Sequence, residues 1–226
     1  MSAGEPQRMR THTPRLLACC LAWAAATCSA GTLEVRVVDE HGEPLPHVAV
    51  YATPAVAPAR SRTEAPRTAV MDQQHNEFVP NFLIVAAGTA VQFPNHDQVS
   101  HHVYSFSPAK TFELALYKGN VYPPLVFDRP GLIVLGCNIH DNMLGYILVV
   151  PTEHYTVTDE RGVARLENVP SGEYTVEAWT PRARPAGLPA AQKLVVADAA
   201  KVDMRVTGRL SPEPGSGSKS LSWDRY

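Results

Sequence analysis

Cys137, His140 and Met143 are spaced C-x2-H-x2-M within Cys137-Asn138-Ile139-His140-Asp141-Asn142-Met143, directly after the apolar run Leu132–Gly136. This places a thiolate, an imidazole and a thioether on one tight loop. Copper(I) favours soft sulfur ligands, while imidazole suits both copper oxidation states. Two imidazoles and a thiolate in a plane, with a weak thioether on the axis, compromise between those states. Little then has to reorganise when one electron is gained or lost. The loop supplies one imidazole. The stretch Phe93–Val103, which carries His96, His101 and His102, offers the second from a neighbouring strand. His101 and His102 are successive, so on a strand they face opposite ways and do not easily bind one ion together.

Other readings of these residues explain less. A lone cysteine is often a small buried hydrophobe, but that leaves the His140 and Met143 spacing as coincidence. Tetrahedral zinc is chemically possible, although methionine is a poor zinc ligand. His41, His47, His75 and His154 are scattered and read as surface residues; His96, Asp97 and Asp141 are candidates to contact the ligands or border the site, with solvated loop polars as the plainer reading. The chain has no Gly-x-Ser-x-Gly, no His-Glu-x-x-His and no glycine-rich phosphate loop. A metal with four protein ligands keeps no open position for a substrate. The expectation is a metal-binding protein that is not an enzyme and has no catalytic residue.

The elements around the loop must be strands. The chain has 226 residues, 45% of them hydrophobic, which supports a packed core. Its 20 prolines suit an all-β protein with many turns and edges. Residues 1–30 read as a signal peptide: Arg8, Arg10 and Arg15 precede the apolar run Leu16–Thr27, and Ser29-Ala30 precedes Gly31. That run is too short to span a hydrocarbon core of about 30 Å. Removing it takes away three Arg and one Glu, leaving 17 basic and 21 acidic residues, net −4. No basic run points to nucleic acid. Cys19, Cys20 and Cys28 leave with the segment, so Cys137 would be unpaired in an oxidising compartment. The expected location is the periplasm, with no membrane span after cleavage.

Alternation and turn signals mark the strands. Leu33, Val35 and Val37 alternate, a turn follows at Glu40–Pro44, and Val48 and Val50 begin a second strand. Residues 53–66 read as a linker rich in Pro, Ala and Arg. Between Ala69 and Val150, apolar runs at 82–85, 91–93, 103–106, 132–135 and 146–150 are separated by Gly and Pro breaks. No convincing helical period interrupts them. Strands resume at 155–158, 163–166 and 174–179, and a closing strand pair is expected at 193–196 and 202–206. Residues 209–226 have linker composition and read as a disordered tail.

Two resemblances follow from these residues. Gly88-Thr89, Val91, Phe93, Asn95, His101 and Val103 resemble the first ligand segment of plastocyanins and amicyanins. Phe127, Pro130-Gly131, Cys137, His140, Met143 and Gly145 resemble their second segment, the short loop being most like amicyanin. This resemblance to cupredoxins implies one copper held by His101, Cys137, His140 and Met143. It also implies contacts from residues beside the ligands. Asn95 and Asn138 are candidates, and His102 stands where the family usually has an Asn that ties the two ligand loops together. His102 could bond Asn138 or compete with His101 for the metal. Met71-Asp72-Gln73, Phe93–Asn95, His101–Ser107 and Leu135–Asp141 also resemble bacterial proteins called methylamine utilisation proteins.

The flanks resemble the carboxypeptidase regulatory-like sandwich, through Asp39, Gly42, Pro44 and Leu45 and then Asp159, Gly162, Leu166, Val169-Pro170, Gly172 and Tyr174. The resulting expectation is an all-β chain: a cupredoxin Greek-key β-sandwich at 67–151 inserted in an Ig-like sandwich formed by 31–66 and 152–208. The expected function is one-electron transfer as a periplasmic blue copper protein, with a c-type cytochrome or another redox protein as partner. Electrons would leave at His140, through an apolar rim of Pro94, Ile139 and Leu144 bordered by Asp97 and Asp141. A non-redox copper-binding or carbohydrate- or envelope-binding module, and copper handling, are the alternatives.

Overall fold

The computed structural model describes residues 30–56 and 67–212. The expected signal peptide up to Ser29, most of the linker and residues 213–226 of the expected tail lie outside the described residues. The described chain is all-β, with one short 3-10 turn at Pro185–Gly187. Its strands are β1 (Ala30–Val38), β2 (Ala49–Pro54), β3 (Thr68–Val70), β4 (Asp72–Gln74), β5 (Glu77–Val79) and β6 (Phe82–Ala86). There follow β7 (Thr89–Gln92), β8 (His101–Ser107), β9 (Lys110–Tyr117), β10 (Leu125–Phe127), β11 (Gly131–Cys137) and β12 (Leu144–Val150). The last are β13 (Tyr155–Val157), β14 (Val163–Pro170), β15 (Gly172–Trp179), β16 (Gln192–Val196) and β17 (Ala199–Arg205).

Alternation in β1 buries Leu33, Val35 and Val37, and these side chains meet Val50, Leu166 and Val176 in one core. Two sheets enclose it, β14-β1-β17 and β13-β2-β15-β16. Leu33 pairs with Leu166 in β14 and Ala200 in β17, and none of the pairings of β1 is made with residues 67–151. Gly162 closes the turn into β14 at φ +70°, where a Cβ would meet the Val37 carbonyl at 2.5 Å. That position admits glycine alone without strain.

A second core gathers Phe78, Val91, Phe93, Val103, Phe127, Ile133 and Leu135. Each such side chain, fully buried, contributes about 1.5–3 kcal/mol from apolar surface removed from water. Around this core lie a five-stranded sheet, β6-β12-β11-β8-β9, and a three-stranded one, β10-β7-β3. Spatial neighbours that are not sequence neighbours, with β12 parallel to β6 and antiparallel to β11, make this a Greek-key sandwich. The hairpin β4–β5 turns at His75 and Asn76, both at positive φ, 56° and 60°. A two-residue turn of this kind matches the right-handed twist of its strands.

The two cores touch through a small apolar seam. Trp179 of β15 lies 5.0 Å from the Phe82 ring and 5.9 Å from that of Tyr146. The chain leaves one core and returns to it at adjacent points: Tyr51 of β2 pairs with Tyr155 of β13, and the Ala52 amide donates to the His154 carbonyl at 2.8 Å.

Some elements differ from the expectation. The strand β9 was not anticipated; it is the edge of its sheet, and the register shift between His101 and Val103 breaks its alternation. The expected closing pair separates, because β16 joins β15 whereas β17 joins β1. The Ala197-Asp198 connection crosses from one sheet of the sandwich to the other. The first tail residues are also held, with Ser211 and Arg182 exchanging two hydrogen bonds.

Candidate metal centre

Three of the expected ligands converge at the end of the second core. β11 ends on Cys137, and its register sets Cys137 opposite Val103 and Gly136 opposite Tyr104 of β8. His101 opens β8 and faces inward with Val103 and Ser105, while His102, Tyr104 and Phe106 face outward. The chain after Cys137 turns through Asn138–Asn142, and the Met143 amide closes the loop on the His140 carbonyl at 2.9 Å. His101 is fully buried, Cys137 and Met143 are buried, and His140 is half-buried.

The donor atoms form a compact triangle. Nδ1 of His101 lies 3.1 Å from Nδ1 of His140, and Sγ of Cys137 lies 3.6 and 3.7 Å from them. Three points so spaced lie on a circle of radius about 2.0 Å, set by these distances. Zinc bonds of about 2.0–2.1 Å to imidazole and 2.3 Å to thiolate give the scale for a first-row ion. One ion near the centre therefore reaches all three donors. His101, Cys137 and His140 form a group that could hold a metal ion, and its softness fits copper. Met143 packs in the core beside them, as part of the cluster that contains Cys137.

The pair His101 and His102 is separated by the strand. The His102 ring faces outward and its Nε2 meets a Glu113 carboxylate oxygen at 2.7 Å. The expected side-chain tie from His102 to Asn138 is replaced by a main-chain one, the Asn138 amide donating to the His102 carbonyl at 3.0 Å. Backbone pairing of β8 with β11 does what a side chain was expected to do.

Asn95 braces the loop that leads to His101. Its Nδ2 donates to the carbonyls of Val99 at 3.0 Å and Tyr117 at 2.9 Å, and its Oδ1 accepts from the Asp97 amide at 2.9 Å. Gln73, missed in the sequence beyond its place in a motif, is fully buried against the same loop. Its Nε2 donates to the Pro94 carbonyl at 3.0 Å and contacts the Tyr117 hydroxyl, which itself donates to the Phe93 carbonyl at 2.7 Å. Burial pushes the Tyr117 hydroxyl up to about 12, so it stays a donor. Gln73 lies in the polar stretch Asp72–Glu77, so nothing local in the sequence marked it as buried.

The loop polars divide. Asp97 turns inward, its side chain 11% exposed, and reaches Nε2 of His101 at 3.1 Å. The Asn76 amide, then the contacts of His101 and Gln98, hold its carboxyl down to about 2 against the opposing effect of burial. His96 pairs instead with Asp72 at 2.8 Å, and Asp141 is exposed. The expected apolar rim keeps Ile139 and Leu144, 50% and 44% exposed, but Pro94 is buried under the loop.

No family model matches the chain and no curated protein matches it. Among solved structures, part of the chain is similar to a purple cupredoxin from Nitrosopumilus maritimus, with 20% identity and a TM-score of 0.32. That likeness covers 37% of this chain and 99% of the other. A reduced amicyanin variant gives 22% identity and a TM-score of 0.34, covering 44% and 99% respectively. A Cu-containing nitrite reductase from Thermus scotoductus gives 23% identity and a TM-score of 0.35, covering 50% of this chain and 28% of that one.

Removing the Asn95 side chain tests how the loop is held. Asn95→Ala leaves the Tyr117 carbonyl without its buried partner and removes two part-buried bonds, so urea unfolding should show a loss of about 1–3 kcal/mol. Copper titration should show affinity weakened by about 10–100-fold. Unchanged stability and affinity would mean that the loop holds its shape without this residue.

Proposed function

We propose that this chain is a type 1 copper protein that carries single electrons in the periplasm. The observation that carries the reading is the triangle of His101 Nδ1, His140 Nδ1 and Cys137 Sγ, sized for one ion and assembled by strand register. In this reading Met143 would be the fourth residue to hold copper, and the ion would keep no open position for a substrate. Copper, when bound, supplies a one-electron couple. The chain's own residues hold the donors in place, exclude water from His101 and Cys137, and leave the His140 side within reach of a partner. Ile139 and Leu144 beside it form a small apolar contact, the kind that brief redox encounters use. A c-type cytochrome suits such an encounter, and the exposed Asp141 favours a basic face on it.

The copper-binding unit, residues 67–151 in this reading, is an insertion in a regulatory-like sandwich formed by 31–66 and 152–208. The support is the meeting of Ala52 with His154 across a hundred residues of chain and the separate core on each side of it. Replacing 67–151 by a short Gly/Ser bridge should leave a remnant that unfolds cooperatively. A remnant with no cooperative transition would mean that the flanks need the inserted unit to fold.

The function itself is tested by loading the chain with copper. The expected result is an intense visible band that bleaches reversibly on one-electron reduction and is lost in Cys137→Ser. Colourless copper binding would favour a non-redox module. Rapid loss of copper to a competing chelator would favour copper handling.

A further inference from the structure

A neutral imidazole carries its proton on one nitrogen or the other, and only the bare nitrogen can bind a metal. His101 presents Nδ1 to the triangle, so its proton belongs on Nε2, where Asp97 stands 3.1 Å away. We propose that Asp97 is a positioning residue for copper: its carboxylate fixes the His101 ring with Nδ1 facing the ion, and its charge lowers the reduction potential. The inference rests on the copper reading above.

Asp97 is itself held from several sides. Its Oδ2 accepts from the Asn76 amide at 2.6 Å, its Oδ1 from the Gln98 amide at 2.7 Å, and its own amide donates to Asn95. The Asn76 amide comes from the β4–β5 turn, whose left-handed backbone aims it at the carboxylate. The short hairpin therefore has a task beyond its few pairings. His101 is fully buried and the Asp97 side chain is 11% exposed, so the carboxylate faces a ring from which water is excluded. A carboxylate on the far nitrogen makes an imidazole a better donor, which favours the more positive, oxidised ion. His140 sits half-exposed on its loop, so the two imidazoles are unequal, and the buried one carries the tuning charge.

The adjacent residue provides an internal control. His102 Nε2 and Glu113 form a like pair at 2.7 Å, but Glu113 is 66% exposed and the ring faces away from the triangle. The experiment compares the copper-loaded full chain with Asp97→Asn, Asp97→Glu and Glu113→Gln by voltammetry and visible absorption. The Asn variant should keep the visible band, show a higher potential and bind copper about 10–100-fold more weakly. The Glu variant should return the potential toward wild type, and Glu113→Gln should leave it in place. In the wild-type Cu(I) form, nitrogen NMR should show the His101 proton on Nε2, a readout that needs no variant. A proton on Nδ1, an unmoved potential in Asp97→Asn, or an equal shift in Glu113→Gln overturns the role of Asp97 while the copper reading stands. A wild-type chain with no visible copper band overturns both.

Discussion

Two imidazole nitrogens and a sulfur sit within 3.7 Å of one another in this chain. Once the sulfur is a thiolate and both nitrogens are bare, as metal binding requires, three lone pairs face one another and their own bonds no longer hold them together. It persists only if the surrounding structure fixes each side chain independently. Cys137 is fixed by the last pairing of β11 with β8, His101 by full burial and by Asp97, and His140 by the turn that Met143 closes. A site built this way changes little when an ion enters or when that ion changes charge, which is what fast one-electron transfer requires.

The support reaches well past the ligands. The β4–β5 hairpin grips the Phe93–His101 stretch at three points: Gln73 on the Pro94 carbonyl, Asp72 on His96 and the Asn76 amide on Asp97. Asn95 ties the same stretch to β9 through Tyr117. Gly145 has no room for a side chain, since a Cβ would meet the Phe78 ring at 2.8 Å. That close contact packs β5 onto β12 at the foot of the ligand loop. Hairpin, loop and sheet thus form one braced unit, and each brace is a buried polar bond or a tight apolar contact whose loss would loosen a ligand.

The sequence made some of this legible for clear reasons. The Cys137–Met143 loop is local, so spacing alone shows that its donors share a site. Alternation marked β1, which buries one face, while β8 and β12 showed as apolar runs between breaks, and β12 buries both faces at its end. Spacing left the second imidazole open; in the structure His101 is turned in toward Cys137 and His140, and His102 is turned out to Glu113. The edge strand β9 was hidden because its pattern slips where the bulge lies. The tie between Asn138 and His102 is a main-chain bond, and side-chain identity carries no trace of it. Asp97 was a candidate without assigned partners, and Gln73 was hard to see, because their partners are distant in sequence or lie across a loop. A polar residue shows its worth only when its neighbours are known.

The measurement that bears most directly on this account is the X-ray absorption fine structure of the chain loaded with one equivalent of copper. The account predicts one short sulfur scatterer and two imidazole nitrogens, with the imidazole distances near 2.0 Å, and little change in any of them between oxidised and reduced forms. A first shell of nitrogen and oxygen alone, or a shell that rearranges on reduction, would contradict a preformed site at His101, Cys137 and His140.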